Sequence, residues 1–359
     1  APSVDVNWEV APAANSSTVA PGSGNRASTS TTCPATEDSW ASIHDIPARI
    51  KSAVATPRIA PVRTFIIMIS FAPRYTILAT LAGFLVSLAA WSQRDVPFAE
   101  RDKEVLRMDL YLAESPEAPW LVFAHGGGFS GGSRAAGPVV DLAEGLAARG
   151  VNVASISYRL RQVGVGFGCN VPVEDKREAM RWAAEDLGAA VEAIRARGAH
   201  FIAVGGSSAG AEAALLYGLV LADRPVDAIV SFSGALEAEG LELDDAPPLF
   251  AFHGTCDGVV PFGRAVHRGC SADSPGAFVL DGGGALHRCY GAAKRPAVLW
   301  AFDGAGHEVC NNAMQNSTML DGLAQRLNDL HRVGAVLPDE FWITLSDLPC
   351  ASSYSLPCP

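Results

Sequence analysis

The sequence predicts an α/β protein with a mostly parallel central sheet and helices on both faces. Three observations carry that expectation. From about Val96 onward, short and continuously apolar runs bounded by turn residues recur, as expected of strands buried on both faces. Helix-like stretches separate them, and one of these places Met180, Ala184, Leu187, Val191 and Ile194 at three- or four-residue spacing on a single apolar stripe. Strand–helix alternation of this kind implies crossovers that cover a parallel sheet. A hydrophobic fraction of 49% and 35 glycines suit a large core with many tight turns.

The chain opens with residues 1–67, an Ala/Ser/Thr/Pro-rich extension that includes Asn15-Ser16-Ser17-Thr18 and Ser28-Thr29-Ser30-Thr31-Thr32. It shows no sustained period and few large apolar groups, so it is expected to be disordered. Residues 68–93 follow, from Met68 through Arg74 and an apolar run over 75–91 to Ser92-Gln93. A basic residue, a run of this length and then Ala89-Ala90 have the layout of a secretory signal peptide, with Met68 as the start and the preceding residues as an upstream extension. A membrane anchor is the rival reading, because the run is near the lower limit for spanning a bilayer; a buried core helix is the third. The expected location is secreted or periplasmic, with a membrane-anchored exported domain as the alternative. A membrane partner is expected only if the 75–91 segment is retained.

One α/β domain is expected over 94–335, with a tail over 336–359. Alternation of Met108, Leu110 and Leu112 predicts an antiparallel lead-in strand over 105–112. Buried strands are predicted over 120–124, 151–157, 201–204, 228–232, 249–252 and 298–302. Helices are predicted over 173–197, 211–221 and 312–332. The net charge of −11 argues against nucleic acid or an anionic membrane surface as partner. None of the eight cysteines forms a C-x-x-C pair, so no structural zinc site is expected; the activity implied by the motifs below is expected to need no metal or cofactor.

The strongest local signal is the apolar run Phe201-Ile202-Ala203-Val204 passing into Gly205-Gly206-Ser207-Ser208-Ala209-Gly210 and then an apolar helix. Gly206 to Gly210 fits G-x-S-x-G between strand and helix. Such an elbow holds the serine in a strained backbone and lifts its hydroxyl above the sheet edge. Ser208 is therefore the candidate nucleophile. Ser207 is its rival, but centring on Ser207 ends the pattern at Ala209 instead of a glycine. Upstream, His125-Gly126-Gly127-Gly128-Phe129 follows the predicted strand 120–124. Three glycines let the backbone approach a ligand closely and present its N–H groups. Gly127 and Gly128 are the candidate oxyanion donors from this loop, joined by Ala209.

With these motifs the sequence resembles the H-G-G-G-bearing esterases and lipases of the α/β-hydrolase fold. The resemblance runs from about Val105 to Arg332 and also rests on Ser157-Tyr158-Arg159-Leu160. It implies a triad in the order nucleophile, acid, histidine. After Ser208, the predicted strand 249–252 leads into His253-Gly254-Thr255-Cys256-Asp257-Gly258-Val259-Val260-Pro261, which puts Asp257 at the acid position. The strand 298–302 leads into Asp303-Gly304-Ala305-Gly306-His307, whose small residues suit a base returning toward Ser208. His287 is the competing base, and Asp303, Asp244 and Asp245 are competing acids. His253 and His125 are read as makers of structural hydrogen bonds.

The implied activity is serine-dependent hydrolysis of carboxylic esters through an acyl-enzyme, on a small-molecule ester with a short acyl or small aryl group. Amide hydrolysis, as in formamidases and prolyl-peptidase-like proteins, is the alternative, since one triad serves both. A silent binding protein on this fold is a third reading, but such proteins usually lack a triad member. The interval from Ser208 to Asp257 holds only the stretch 234–248 between two strands. That is too short for a large cap, so the resemblance is to compact feruloyl- and acetyl-xylan-esterase-like proteins with an open cleft. Phe129, Phe167 and Phe262 are candidates for its lining, with core packing as the alternative for each. Cys256 abuts Asp257 and Cys310 follows His307 by three residues, so a Cys256–Cys310 disulfide clamping acid to base is expected if the protein is exported. Cys270–Cys289 and Cys350–Cys358 are the further candidate pairs, leaving Cys169 free if the N-terminus is removed, although sequence alone does not fix connectivity.

Overall fold

The computed structural model describes residues 92–334 and the backbone of 339–344. The extension 1–67, the apolar run 75–91 and the expected Cys350–Cys358 pair lie outside the described residues. Among the described residues no helix is long and apolar enough to cross a membrane.

Nine strands form the main sheet: β1 (Ser92–Arg101), β2 (Glu104–Tyr111), β3 (Trp120–Ala124), β4 (Asn152–Ile156), β5 (Ile202–Ser207), β6 (Ala228–Phe232), β8 (Leu249–Gly254), β11 (Ala297–Asp303) and β12 (Asp339–Thr344). Their spatial order is β1-β2-β4-β3-β5-β6-β8-β11-β12. β1 and β2 run antiparallel at one edge, and every pairing from β4 to β12 is parallel. A three-stranded antiparallel sheet joins β7 (Ala235–Leu236), β10 (Val279–Gly282) and β9 (Arg264–Val266) in that order. This mostly parallel sheet, with no large cap, is the α/β-hydrolase fold that the motifs imply.

The continuous apolarity of the central strands follows from burial on both faces. In β3, Leu121 and Phe123 enter one core layer while Val122 and Ala124 enter the other. The first layer is closed by α1 (Gly137–Ala147), α5 (Val309–Gln315) and α6 (Ser317–Val333), through residues such as Leu142, Val309 and Leu323. Across it Phe232, Phe252 and Trp300 stack in a row, with ring centroids 4.5 and 4.2 Å apart. The opposite layer is closed by α2 (Val173–Arg195), α3 (Ala209–Leu216) and α4 (Gly283–Ala292). The stripe from Met180 to Ile194 on α2 is wholly buried, as its spacing predicts.

Several elements differ from expectation. The predicted helix over 312–332 is two helices, because Asn316 leaves the helical region and its side chain accepts hydrogen bonds from the N–H groups of Thr318 and Met319. A polar cap of this kind starts a new helix by satisfying otherwise unpaired donors. The helix expected over 211–221 begins at Ala209 and ends in a π turn, Tyr217–Leu221. Within the expected tail, Asp339–Thr344 pairs in parallel with β11.

The expected disulfides within the described residues are corrected. Cys169, expected free, is bonded to Cys270 across a sequence separation of 101. Cys310 is a buried free thiol, so there is no Cys256–Cys310 clamp. The bond to Cys169 likewise excludes the Cys270–Cys289 pair; Cys256 and Cys289 are each disulfide-bonded. Adjacency in sequence to neighbouring loops fixes neither the distance nor the direction of a thiol, and a disulfide needs both.

Candidate active site

β5 delivers Ser208 into a tight elbow. Its backbone sits at φ 50 and ψ −120, a region that a non-glycine residue enters only under constraint. The constraint comes from glycines on either side. A Cβ on Gly206 would lie 2.2 Å from the carbonyl carbon of Gly210, and one on Gly210 would lie 2.1 Å from the carbonyl oxygen of Ala124. Strand, elbow and helix thus approach backbone to backbone, and the serine side chain is left at the sheet's carboxyl edge.

Asp257 and His307 leave the same edge from β8 and β11. Ser208 Oγ and His307 Nε2 are 2.8 Å apart, and His307 Nδ1 stands 2.7 Å from Asp257 Oδ2. The two loops meet closely: the Cys256 N–H donates to the Ala305 carbonyl at 2.9 Å, and a Cβ on Gly254 would strike that carbonyl at 2.3 Å. The three sequence-predicted residues therefore come together in one relay. Ser207 is the buried last residue of β5, His287 lies within α4, and the His307 bond goes to neither. Asp303 accepts from the Thr255 hydroxyl at 3.3 Å, while Asp244 and Asp245 are exposed.

Asp257 is held as an anion from two directions. Its Oδ1 accepts from the N–H groups of Val259 and Val260 at 2.8 and 2.9 Å. His253 Nε2 approaches Oδ2 at 3.5 Å beside His307. Burial pushes the carboxyl's pKa up, but hydrogen bonds from His253 and His307 outweigh it and hold the group well below the usual carboxylate range. The tautomer of His253 follows from its other contact: Gly283 N–H donates to Nδ1 at 3.2 Å, so the proton sits on Nε2, facing Asp257 and the Val260 carbonyl. His253 thus has a structural hydrogen bond, as expected, and also supports the acid.

The glycine loop is shaped by its own backbone. Gly127 and Gly128 both adopt positive φ (126 and 60), and a Cβ on Gly127 would lie 2.2 Å from the Gly131 carbonyl oxygen. The Gly127 carbonyl turns away to accept from Ser130 and Gly131, and Phe129 anchors the turn with a fully buried ring. Tyr158, a motif residue without an assigned role in the sequence, stacks on His125 at 4.5 Å and donates its hydroxyl to the His125 carbonyl at 2.8 Å. His125 Nδ1 stands 2.7 Å from the Gly126 carbonyl. Among the described residues, the N–H groups of Gly127, Gly128 and Ala209 have no hydrogen-bond partner.

These groups open on a cleft of about 560 Å³ lined by Gly126–Gly128, Ser208, His307, Phe167, Val259 and Arg268, among others. Of the three phenylalanines singled out, Phe167 lines it, whereas Phe129 and Phe262 are core residues. Sequence reasoning missed Arg268, which follows no motif and reaches the cleft from the turn after β9.

Residues 108–239 match the BD-FAE family model, a stretch that carries the glycine loop, Tyr158 and the serine elbow. No curated protein matches the chain. Among solved structures, it is similar to the propionate-bound Est2 esterase of Thermogutta terrifontis, at 20% identity over 68% of this chain and 97% of that one, with a TM-score of 0.48. It is also similar to a truncated carbohydrate esterase from gut microbiota, at 14% identity over 67% and 96% of the two chains, with a TM-score of 0.47.

Proposed function

We propose that this chain is a serine-dependent hydrolase of carboxylic esters, with Ser208 as nucleophile, His307 as base and Asp257 as orienting acid. The observation that carries the reading is the unbroken relay from Ser208 Oγ through His307 to Asp257, at 2.8 and 2.7 Å, with the serine in a constrained elbow. A serine hydroxyl is a weak nucleophile on its own. His307 Nε2 takes its proton as Oγ attacks the ester carbonyl, then returns that proton to the departing alcohol. Asp257 keeps the Nδ1–H tautomer and stabilises the imidazolium without itself taking the proton. Water, deprotonated by the same histidine, then cleaves the acyl-enzyme and restores Ser208.

The negative charge that develops on the carbonyl oxygen needs fixed donors. Gly127 and Gly128 line the cleft with Ser208, Ala209 follows Ser208 in the chain, and the unpartnered N–H groups of all three support their reading as those donors. Each such donor typically contributes about 3–4 kcal/mol in the transition state. A lining of small residues at Gly126–Gly128 together with Phe167 and Val259 suits short acyl or small aryl esters. Export fits the Cys169–Cys270 disulfide, because reducing compartments keep such thiols apart.

The test is hydrolysis of p-nitrophenyl esters from acetate to decanoate by the wild type and by Ser208→Ala. Turnover of the short esters that falls by about 10⁶-fold in the variant is expected. Activity that survives the substitution, or a folded wild type inert toward every chain length, overturns the assignment.

A further inference from the structure

We propose that Arg268 makes this cleft selective for esters whose non-reacting portion carries a carboxylate. The inference rests on the ester-hydrolase reading of the same cleft and adds the charge of its substrate. Arg268 lines the cleft together with Ser208 and His307. Among the described residues its guanidinium has no hydrogen bond and no ion pair, in a chain where most of the other described arginines are salt-bridged.

Its placement is specific. Arg268 sits at φ 58 and ψ 17, the left-handed region that glycine enters freely and a long side chain enters at a cost. Gly269 follows with φ 59, so the chain had glycine available at this turn and still carries arginine at the position facing the cleft. The wall that presents it is braced. Cys270 is bonded to Cys169, which ties the Arg268 turn to the segment holding Gly166 and Phe167 on the same cleft wall. His267 is buried behind it, edge-on to Phe167 at 5.3 Å, and the Arg268 N–H donates to the Val259 carbonyl at 3.2 Å.

No carboxylate among the described residues is ion-paired with the guanidinium. Burial pushes the Glu212 carboxyl up to about 8, so it is uncharged at neutral pH, and burial drives His267 down to about 3. Lys176 Nζ, also buried, donates to the Gly276 carbonyl at 2.8 Å, and burial holds its pKa below the usual lysine range. Asp257 is engaged by its two histidines. Arg268 is the one Lys, Arg, Asp or Glu among the described residues that line the cleft, and a carboxylate is the monoanion whose two oxygens match a guanidinium fork.

The test compares charge-matched pairs at equal length: mono-p-nitrophenyl glutarate against p-nitrophenyl valerate, and 4-acetoxybenzoate against phenyl acetate. The wild type is expected to favour the anionic member of at least one pair by about fivefold in kcat/KM, the upper end for one solvent-exposed ion pair. Arg268→Gln should abolish that preference, and Arg268→Lys should keep part of it. Neutral esters cleaved in a Ser208-dependent way with no preference for the anion, or a preference that survives Arg268→Gln, overturns this inference alone. Failure to cleave any ester would instead strike the hydrolase reading. Binding of free glutarate by calorimetry, in Ser208→Ala with and without Arg268→Gln, reads the anion site without turnover. Weaker binding in the double variant is expected, and equal binding refutes the proposal.

Discussion

Asp257→Asn isolates the tautomer logic of the relay because the surroundings fix which way the new amide must face. The Val259 and Val260 N–H groups, at 2.8 and 2.9 Å from Oδ1, require an acceptor there, so the amide oxygen takes that side. Its NH₂ then replaces Oδ2, 2.7 Å from His307 Nδ1 and 3.5 Å from His253 Nε2. His253 cannot adapt, since Gly283 N–H occupies its Nδ1 and keeps the other ring proton pointing at the amide. His307 can, by accepting at Nδ1 and carrying its proton on Nε2, but that tautomer meets Ser208 Oγ with a donor and cannot take its proton. Turnover should fall about 10⁴-fold, or roughly 5.5 kcal/mol of transition-state stabilisation. The opposed donors at His253 should cost about 1–3 kcal/mol of stability, leaving the fold intact. The assay is kcat on p-nitrophenyl acetate, read beside the thermal midpoint. A folded variant that retains more than a tenth of wild-type turnover would refute the assignment of Asp257 as the orienting acid.

Three further outcomes follow from the geometry. Gly210→Ala places a Cβ 2.1 Å from the Ala124 carbonyl oxygen and 2.6 Å from that of His125, both unyielding backbone. Separating them by about 1 Å shifts the glycine loop against Ser208, so activity should drop about 10²-fold with a loss of about 1–3 kcal/mol in stability; an unchanged melting curve and rate would contradict the elbow geometry. Glu212 has its folded pKa raised to about 8 by burial, so its contribution to stability is present at acid pH and is lost as pH rises from about 4.5 through 8. At about 1.36 kcal/mol per unit the loss reaches several kcal/mol. Glu212→Gln should flatten that decline, and parallel melting-temperature profiles for the two proteins from pH 5 to 9 would count against it. Replacing Cys169 and Cys270 by serine opens a loop with a sequence separation of 101 and should remove about 2–4 kcal/mol of stability; a denaturant midpoint insensitive to the change would show that the bridge does not constrain the chain.

The parts of this site that were legible in the sequence share a physical cause. Gly206, Ser208 and Gly210 sit at consecutive alternate positions because one local turn imposes all three, so spacing alone encodes the elbow. The same holds for Gly126–Gly128 after β3. Asp257 and His307 were readable from order and from the strands that precede them, since β8 and β11 end at the same sheet edge. The edge and satellite strands were not. β1 carries Arg94, Asp95 and Pro97 among its residues, β9 has three residues and β7 two, too few for a period to register. α1 opens with Gly137-Pro138 and lacks a side-chain cap, which hid its start.

Disulfide pairing and Arg268 failed to show for a different reason. The partner of Cys270 is Cys169, and the two meet only because the loop before α2 and the turn after β9 fold onto one cleft wall. No local pattern records a meeting of that kind, and reasoning from sequence neighbours chose Cys256 and Cys310, whose loops do touch but whose thiols do not pair. Arg268 belongs to the same wall. The proposed catalytic relay is encoded by short motifs because such chemistry needs a fixed local geometry at each member. On the proposed reading, what distinguishes one ester from another is set by side chains that arrive from distant loops, so selectivity in this chain would be a property of the fold's long-range closures, among them the Cys169–Cys270 bridge.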